Sequence, residues 1–265
     1  MNTVAIIGVG VMGETILGGL VRAGWPPDEL IAVDQVASRL EEIGSHYGVR
    51  TADLATAAAQ ADTVVVVVKP QDADGAFRLI GEAMRPGTLV VSICAGLTTA
   101  HIEGLLPDGA LVVRVMPNTP AQVAEGMSAV SAGSHASQAE LDRVIQMMSA
   151  VGKAVVVDEK YQDAVTAISG SGPAYVFLVA EAMIDAGVLL GVARPVATQL
   201  VAQTLYGSAK LLAESGTHPT VLRERVTSPG GTTAAALREL EDHGLRAAFT
   251  DAMEAAYARS RELAG

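Results

Sequence analysis

Residues 4–13 read VAIIGVGVMG, and this stretch decides the fold of the N-terminal half. A short apolar strand leads through Gly8, Gly10 and Gly13 into a helical pattern that ends near Gly24. Glycines at this spacing permit a tight turn, let a pyrophosphate approach the backbone and let the helix pack closely on the strand. The stretch therefore predicts a dinucleotide-binding βα unit whose helix N-terminus binds the phosphates.

Apolar runs alternate with helical patterns through the first 160 residues. Strands are predicted at 4–7, 30–33, 64–68, 88–93, 110–115 and 154–157. Continuous runs rich in β-branched residues are typical of a parallel sheet covered by helices on both faces. After Asp163 the strand patterns stop and only helical ones follow. The fold class is predicted as α/β, with an N-terminal Rossmann-type parallel sheet in residues 1–160 and an all-α domain in 161–265.

Composition narrows the class of protein. The 265 residues fit two medium domains, and 50% hydrophobic with 3% aromatic residues indicates a globular core of small aliphatic side chains. The net charge of -11 argues against a nucleic-acid or anionic-membrane partner, although a small anion can still bind locally. The single Cys94 excludes an intramolecular disulfide framework. Because no basic leader follows Met1, we expect a cytoplasmic protein.

The most apolar long stretch is 175–193. Glu181 and Asp185 lie on it one helical turn apart, where burial in lipid would be costly. We therefore expect a core helix here and no membrane span. The helical half, including 196–212 and 245–258, has more apolar surface than a small domain can bury, which favours a homodimer.

Asp34 ends the second predicted strand, about 20 residues after the glycines, as the dinucleotide pattern expects. Its carboxylate would accept hydrogen bonds from the adenosine ribose and repel a 2′-phosphate, which favours NADH. Arg39 is close enough in sequence to compensate such a phosphate, or it is a solvated charge on a helix. The cofactor is therefore reduced NAD or NADP, with NADH favoured.

Other cofactor contacts are expected in the loops at the carboxyl ends of the strands, where open α/β sheets bind ligands. Lys69 would contact a phosphate or only end its strand, and the prolines near Asn118 would form a nicotinamide wall or only end theirs. The predicted cofactor-binding residues are Gly8, Gly10, Val11, Met12, Gly13, Asp34, Gln35, Val68, Lys69, Pro70, Cys94, Ala95, Gly96, Asn118 and Pro120.

A second anion site is predicted where the loop VTSPGGTT, residues 226–233, opens onto the helical sequence AAALRELE. Unpaired N–H groups at a helix start carry partial positive charge, and glycines let a ligand approach them. The alternative is that Ser228 and Thr233 cap the helix, a position both residue types favour. Two adjacent glycines go beyond what a cap requires.

Several motifs together resemble the pyrroline-5-carboxylate reductase family. They are AISGSGPAY at 167–175, the loop and helix at 226–241, the glycines of 8–13, VKP at 68–70 and VRVMPNTP at 113–120. The resemblance implies reduction of 1-pyrroline-5-carboxylate to L-proline by a reduced nicotinamide, the last step of proline biosynthesis. It also implies a homodimer with intertwined helical domains, and such dimers can assemble into a larger ring.

The resemblance implies roles for the second loop, which would face the nicotinamide supplied by the N-terminal half. Gly230, Gly231, Thr232 and Thr233 would hold the substrate carboxylate, while the Thr233 hydroxyl lies by the ring nitrogen and Ser228 assists. Glu159 falls where the family tends to have an acidic residue near the substrate, although a solvated loop is an equal explanation. No metal is expected, since none of the five histidines has a partner at zinc-site spacing.

The sequence departs from the family at the adenosine pocket. The family often has asparagine where this chain reads Asp53-Leu54, and serine or asparagine where it has Gln35.

Two alternative functions also stay open. A β-hydroxyacid-type dehydrogenase shares the layout but needs a base, for which Lys210 on a helix is the candidate. A non-catalytic redox sensor would bind the dinucleotide and would not need residues 228–233.

Overall fold

The computed structural model describes residues 3–264, which form two compact units. The first unit runs to Ser171 and takes in the C-terminal residues from Ala256, and the second is Gly172–Ala255.

One sheet forms the centre of the first unit, with eight strands in the order β3-β2-β1-β4-β5-β6-β7-β8 among residues 3–264. Neighbours from β3 to β6 are parallel, β7 is antiparallel to β6, and β8 is parallel to β7. The strands are β1 Val4–Ile7, β2 Leu30–Val33, β3 Arg50–Thr51, β4 Thr63–Val66, β5 Leu89–Ser92, β6 Leu111–Met116, β7 Gly126–Ala132 and β8 Gly152–Val156.

Helices cover both faces of this sheet, because β-branched side chains alternate between the two faces and both must be buried. The helices of this unit are α1 Val11–Arg22, α2 Ala37–Tyr47, α3 Leu54–Gln60, α4 Pro70–Ala83, α5 Thr99–Glu103, α6 Gln138–Met148 and α7 Gln162–Val165. On one face, Leu17 of α1, Ile43 of α2 and Val144 of α6 lie in the core. On the other face, Phe77 of α4 lies there with its neighbours from α3 and α5.

The α/β class with a helical C-terminal domain is confirmed, and each of the six predicted strands is present within two residues of its expected ends. The prediction of a purely parallel sheet is wrong at β7. That strand reads GMSAVSA, and its small and polar residues lack the β-branched run that marked the others. The two-residue β3 was also missed, because it is too short to show a pattern.

The first unit continues beyond the predicted boundary at residue 160, because the residues that follow are hydrogen-bonded to the sheet. The buried Gln162 side chain donates to the Ala129 carbonyl at 3.3 Å and to Ser131 Oγ at 2.8 Å. Ser260 Oγ donates to Asp163 Oδ1 at 2.7 Å, which holds the last turns of the C-terminal helix on this unit. A π-helical turn, Thr166–Gly170, then leads to the second unit.

The second unit is entirely helical within the described residues, as predicted. Its helices are α8 Gly172–Leu189, α9 Arg194–Ser215, α10 Pro219–Arg225, α11 Thr232–Asp242 and most of α12 Leu245–Ala264. None of the α8 side chains is buried by this chain, and Phe177 is 66% exposed. The expectation of a core helix at 175–193 is therefore wrong for the single chain, because these residues stay exposed or half-buried although α8 packs against α9.

The helical stretch Glu159–Leu189 is the part of the described chain that is long and apolar enough to cross a membrane, judged by length and composition alone. It carries Glu181 and Asp185, and Arg194 Nη1 lies 2.8 Å from the Asp185 carboxylate. Buried interface helices of oligomers have the same composition, since both environments select apolar side chains.

We expect the exposed face of α8 to be covered by a second copy of the chain. Phe177→Glu should raise the dimer dissociation constant about a hundredfold, because an unpaired carboxylate would be buried at the interface. Analytical ultracentrifugation over a dilution series measures this constant. Val123→Glu, a change at a 72% exposed apolar residue of the first unit, is the matched control. Equal dissociation constants for both variants would mean that α8 is not at the interface.

Candidate active site

The three glycines of the first loop differ in what a side chain would meet at each position. Gly8 has φ +93°, and a Cβ there would lie 2.6 Å from the Val67 carbonyl oxygen. A Cβ on Gly13 would collide with the Gly8 carbonyl oxygen. Gly10 differs, because it is exposed and nothing lies within 4 Å of the position that a Cβ would take. Gly8 and Gly13 are thus required by the turn, whereas Gly10 leaves open space beside the start of α1.

The predicted cofactor loops meet at one edge of the sheet. The Gly8 N–H donates to the Val33 carbonyl at 2.8 Å, and the Val67 N–H donates to the Ile7 carbonyl at 2.8 Å. The Ile93 N–H, just after β5, donates to the Val66 carbonyl at the end of β4 at 3.0 Å. The structure therefore brings together the carboxyl ends of β1, β2, β4 and β5, and with them the loops 8–13, 68–70 and 94–96.

Asp34 is fixed beside the glycine loop by two main-chain groups. Its Oδ2 accepts the Val9 N–H and its Oδ1 accepts the Val36 N–H, both at 3.0 Å. These bonds set the orientation of the carboxylate before any ligand arrives. Each oxygen keeps a second lone pair, which suits hydrogen bonds from ribose hydroxyls.

Arg39 is neither a solvated charge nor an open phosphate ligand. Its Nε donates to the Val9 carbonyl at 2.9 Å, its Nη1 donates to Glu42 Oε2 at 2.6 Å, and its Nη2 donates to Glu14 Oε2. The hydrogen bonds to Glu42 and Glu14 raise the pKa of Arg39 above its usual range. Glu14 also accepts the Tyr47 hydroxyl at 3.1 Å. Sequence reasoning missed Glu14, because its partners come from another helix.

Lys69 and Pro70 stand at the start of α4. Lys69 is the N-cap residue without a side-chain cap bond, Pro70 occupies the first helical position, and both are exposed. The Lys69 ammonium is thus available at the ligand edge, whereas the proline fits the helix start. Among the other predicted contacts, the exposed residues are Val11, Gln35 and Ala95, and the half-buried ones are Met12, Val68 and Pro120.

Cys94 and Asn118 have structural roles at the same edge. Burial raises the pKa of the Cys94 thiol, whose Sγ lies 3.4 Å from the Val68 carbonyl, so this residue is not an activated nucleophile. Asn118 Oδ1 accepts the Met127 N–H at 2.8 Å, and its Nδ2 donates to the Ser169 carbonyl at 3.2 Å. Its side chain joins the loop after β6 to β7 and to the π turn.

Asp53, one of the departures from the family pattern, caps a helix. Its Oδ1 accepts the Thr56 N–H at 2.8 Å at the start of α3, and its Oδ2 accepts the Thr56 hydroxyl at 2.7 Å. These bonds lower the pKa of its carboxyl, the backbone bond most. The residue therefore stays ionised while it stabilises α3.

A reduced dinucleotide fits the residues at this edge. Gly10 leaves space for a pyrophosphate, the first N–H groups of α1 face that space, and Asp34 presents a fixed carboxylate at the end of β2. Within residues 3–264 there is no cluster of three or more His, Cys, Asp or Glu side chains that could hold a metal ion.

The second loop leaves the start of α11 open. Gly231 is the N-cap residue, and no side chain caps this helix among the described residues. The Gly231 N–H donates to the Ser228 carbonyl at 3.0 Å, and a Cβ on Gly231 would collide with Ser228 Oγ. Gly230 has φ +68°, which glycine adopts without strain. The alternative that Ser228 or Thr233 caps α11 is therefore wrong.

The open helix start is suited to a small carboxylate. The backbone N–H groups of Thr232 and Thr233 belong to the first turn, where no intrahelical partner exists. The Ser228 side chain is exposed and that of Thr233 is half-buried, and neither hydroxyl donates to or accepts from another residue in the described chain. The second unit thus combines an anion-binding backbone with two uncommitted hydroxyls.

Glu159 is bound within the first unit. Its carboxylate accepts the Thr99 N–H and hydroxyl, both at 2.6 Å, and Arg114 Nη1 lies 3.3 Å away. The Arg114 side chain is only 5% exposed, so Glu159 neutralises a buried guanidinium. The solvated-loop explanation is wrong, and the carboxylate joins the chain after β8 to α5 and β6.

Lys210, the base expected for a hydroxyacid dehydrogenase, lies on α9. Its Nζ is 3.2 Å from Glu214 Oε1, one helical turn away. The pair is exposed and stabilises the helix surface as an i, i+4 interaction.

Two family models match most of the chain. Residues 159–263 match the model described as pyrroline-5-carboxylate reductase dimerisation, and residues 3–96 match NADP oxidoreductase coenzyme F420-dependent. The first range lies over the helical part, and the second covers β1 to β5 with the glycine loop.

Similar proteins extend over the full length. The pyrroline-5-carboxylate reductase of Synechocystis is 43% identical over 97% of both chains. The structure of the pyrroline-5-carboxylate reductase from Coxiella burnetii has a TM-score of 0.96 at 34% identity and covers 100% of this chain and 99% of that one. The Plasmodium falciparum pyrroline carboxylate reductase with NADP bound has a TM-score of 0.89 at 29% identity, covering 100% and 98%.

Substitutions at Gly10 and Gly13 should separate ligand binding from folding. Gly10→Ala should unfold at the wild-type temperature but bind a reduced dinucleotide at least about tenfold more weakly, because the methyl group enters the ligand space. Gly13→Ala should lower the free energy of unfolding by about 1–3 kcal/mol or more, because α1 must move off β1. Thermal unfolding and calorimetric titration measure the two effects. Wild-type affinity in Gly10→Ala would place the phosphates elsewhere.

Proposed function

The chain belongs to the pyrroline-5-carboxylate reductase family, and from that premise we propose how its residues reduce 1-pyrroline-5-carboxylate to L-proline. The protein is an oxidoreductase of amino-acid biosynthesis, and it oligomerises through its helical domain. The main support for the proposed site is the uncapped start of α11. It offers unpaired N–H groups next to two glycines and to the Ser228 and Thr233 hydroxyls.

The substrate carboxylate is bound by the first turn of α11. The N–H groups of Thr232 and Thr233 are candidates for this contact, while Gly231 borders the space and Gly230 lets the chain turn toward it. The positive end of the helix adds a favourable field for one negative charge. A ligand at this position supplies the hydrogen-bond acceptors that a capping side chain supplies in other helices.

Thr233 orients the reacting ring. Its hydroxyl, half-buried and uncommitted, donates to or accepts from the ring nitrogen or a water molecule bound there. Protonation of that nitrogen makes the imine carbon more electrophilic, and the proton comes from solvent because a threonine hydroxyl is too weak an acid. The reduced nicotinamide supplies the hydride that adds to this carbon. Ser228, whose Oγ lies beside Gly231, holds the same water or the carboxylate.

Glu159 is a positioning residue and does not contact the substrate. Its carboxylate is committed to Thr99 and Arg114, so it positions α5 and the loop that precedes it. That loop contains Cys94 and Gly96 at the ligand edge.

The cofactor is proposed to be NADH, bound by the loops from Gly8 to Gly13, at Asp34, and near Lys69. The reason is the fixed Asp34 carboxylate, which accepts ribose hydroxyls and repels a 2′-phosphate. The Plasmodium relative was solved with NADP bound, so cofactor choice differs within the family if this proposal holds.

We further propose a dimer that assembles into a larger ring and works in the cytoplasm. Exposed apolar residues on α9 as well as α8, such as Leu200 and Leu211, support more than one contact surface. A free, buried Cys94 is compatible with a reducing compartment.

Thr233→Val tests the proposed site. We expect kcat/KM for 1-pyrroline-5-carboxylate to fall about tenfold to a hundredfold, the cost of losing one hydrogen bond to the charged ring nitrogen or to the water bound there. The unfolding temperature should not change, because the hydroxyl has no protein partner in the described chain. Thr250→Val on α12 removes a comparable hydroxyl and should leave kcat/KM unaltered. An unchanged kcat/KM in Thr233→Val would remove this residue from the mechanism.

The reaction and the cofactor are tested by steady-state kinetics. With 1-pyrroline-5-carboxylate, absorbance at the nicotinamide band should fall, and kcat/KM should be larger for NADH than for NADPH. Oxidation only with a keto acid would indicate a hydroxyacid dehydrogenase, and no oxidation with either substrate would indicate a redox sensor. A larger kcat/KM for NADPH would overturn the cofactor assignment alone.

A further inference from the structure

Two oppositely charged side chains bind the main chain of one residue in the glycine loop, Val9. Asp34 accepts the Val9 N–H at 3.0 Å, and Arg39 Nε donates to the Val9 carbonyl at 2.9 Å. Since both bonds end on the same residue, the Arg39 guanidinium lies within about 10 Å of the Asp34 carboxylate, given ordinary backbone dimensions. Arg39 is therefore near the ribose that Asp34 would bind, at a distance its side chain can cross by changing rotamer.

Arg39 is held away from that position by two carboxylates. Glu14 accepts from Nη2 and Glu42 accepts from Nη1, so each nitrogen of the guanidinium has a protein partner. The Tyr47 hydroxyl donates to the other oxygen of Glu14. A Cβ on Gly18 of α1 would lie 2.9 Å from the Tyr47 ring, so tyrosine and helix are in close contact. The Glu14 side chain is thus fixed from both sides.

The charges of this group disfavour a phosphate. Asp34, Glu14 and Glu42 contribute three negative charges and Arg39 one positive charge, which leaves two negative charges next to the ribose position. A 2′-phosphate adds between one and two more negative charges near pH 7. These charges repel a 2′-phosphate, and a guanidinium that two carboxylates already neutralise attracts it less than a free one would.

We propose that Glu14 is a specificity-determining residue, which withholds Arg39 from the 2′-phosphate of NADPH and thereby favours NADH. Glu42 supports it by engaging the other nitrogen of the guanidinium. The inference rests on the proposed function only in that the glycine loop binds an adenosine nucleotide. The competing explanation is that Glu14 and Arg39 serve only to join α1 to α2.

The test uses the full chain and two probes, adenosine 2′,5′-bisphosphate and 5′-AMP, in calorimetric titrations. Glu14→Gln should tighten the bisphosphate at least about tenfold relative to 5′-AMP, because a freed guanidinium can form a charge-assisted bond to the 2′-phosphate. Adding Arg39→Ala to this variant should abolish the gain. Arg39→Ala alone should change the ratio of the two affinities by less than about twofold.

Glu41→Gln is the matched control, since it removes a neighbouring charge on exposed α2 surface without releasing Arg39. If Glu14→Gln fails to fold, as judged by its thermal unfolding, Glu42→Gln at a 65% exposed side chain replaces it, with the same expected direction. The kcat/KM ratio of NADPH to NADH should rise in parallel with the affinity ratio, which a merely structural role would not cause.

Three results would overturn the proposal. They are an unchanged affinity ratio in Glu14→Gln and Glu42→Gln, an equal gain in Glu41→Gln, and a gain that persists after Arg39→Ala. Failure of 5′-AMP and NADH to bind the wild-type chain would instead contradict the dinucleotide site itself. The two failures are therefore distinguishable.

Discussion

The structure of the first unit depends on the close approach of α1 to β1, which the missing side chain of Gly13 permits. The space for a Cβ is taken by the Gly8 carbonyl oxygen, and Gly8 in turn lies against the Val67 carbonyl. This contact sets where the first turn of α1 points, at the edge where the parallel ladder aligns the ends of β1, β2 and β4. The Asp34 carboxylate then reaches the Val9 N–H, and Arg39 reaches the carbonyl of the same residue. Steric exclusion at two glycines thus positions both the phosphate site and the charges that surround it.

Sequence patterns predicted those features whose cause is local. Apolar β-branched runs marked the inner strands, and glycine spacing marked both anion loops, because strand burial and helix starts leave short-range signatures. Strand β7 was missed because Gly126–Ala132 is rich in small residues, although it lies at a buried position beside β6. Its burial comes from its neighbours and not from its own composition.

The side-chain contacts that the sequence did not predict join distant parts of the chain. Glu159 meets Thr99 across 60 residues and Arg114 across 45, and Glu14 meets Arg39 across 25. A single sequence shows an acidic residue in a polar linker or a first helical turn, and nothing in it identifies the partner. The exposure of α8 was missed for a related reason, since hydrophobicity predicts burial without saying whether the same chain or a second copy provides it.

The uncapped start of α11 also restricts which substitutions can stabilise this enzyme. A helix start is a common place to gain stability by design, and aspartate or serine at the N-cap typically adds about a few tenths of a kcal/mol over glycine. At Gly231 that gain is blocked twice, because a new Cβ meets Ser228 Oγ and the capping oxygen would take the N–H groups that we assign to the substrate. Stabilising N-cap substitutions therefore belong at other helix starts of the protein.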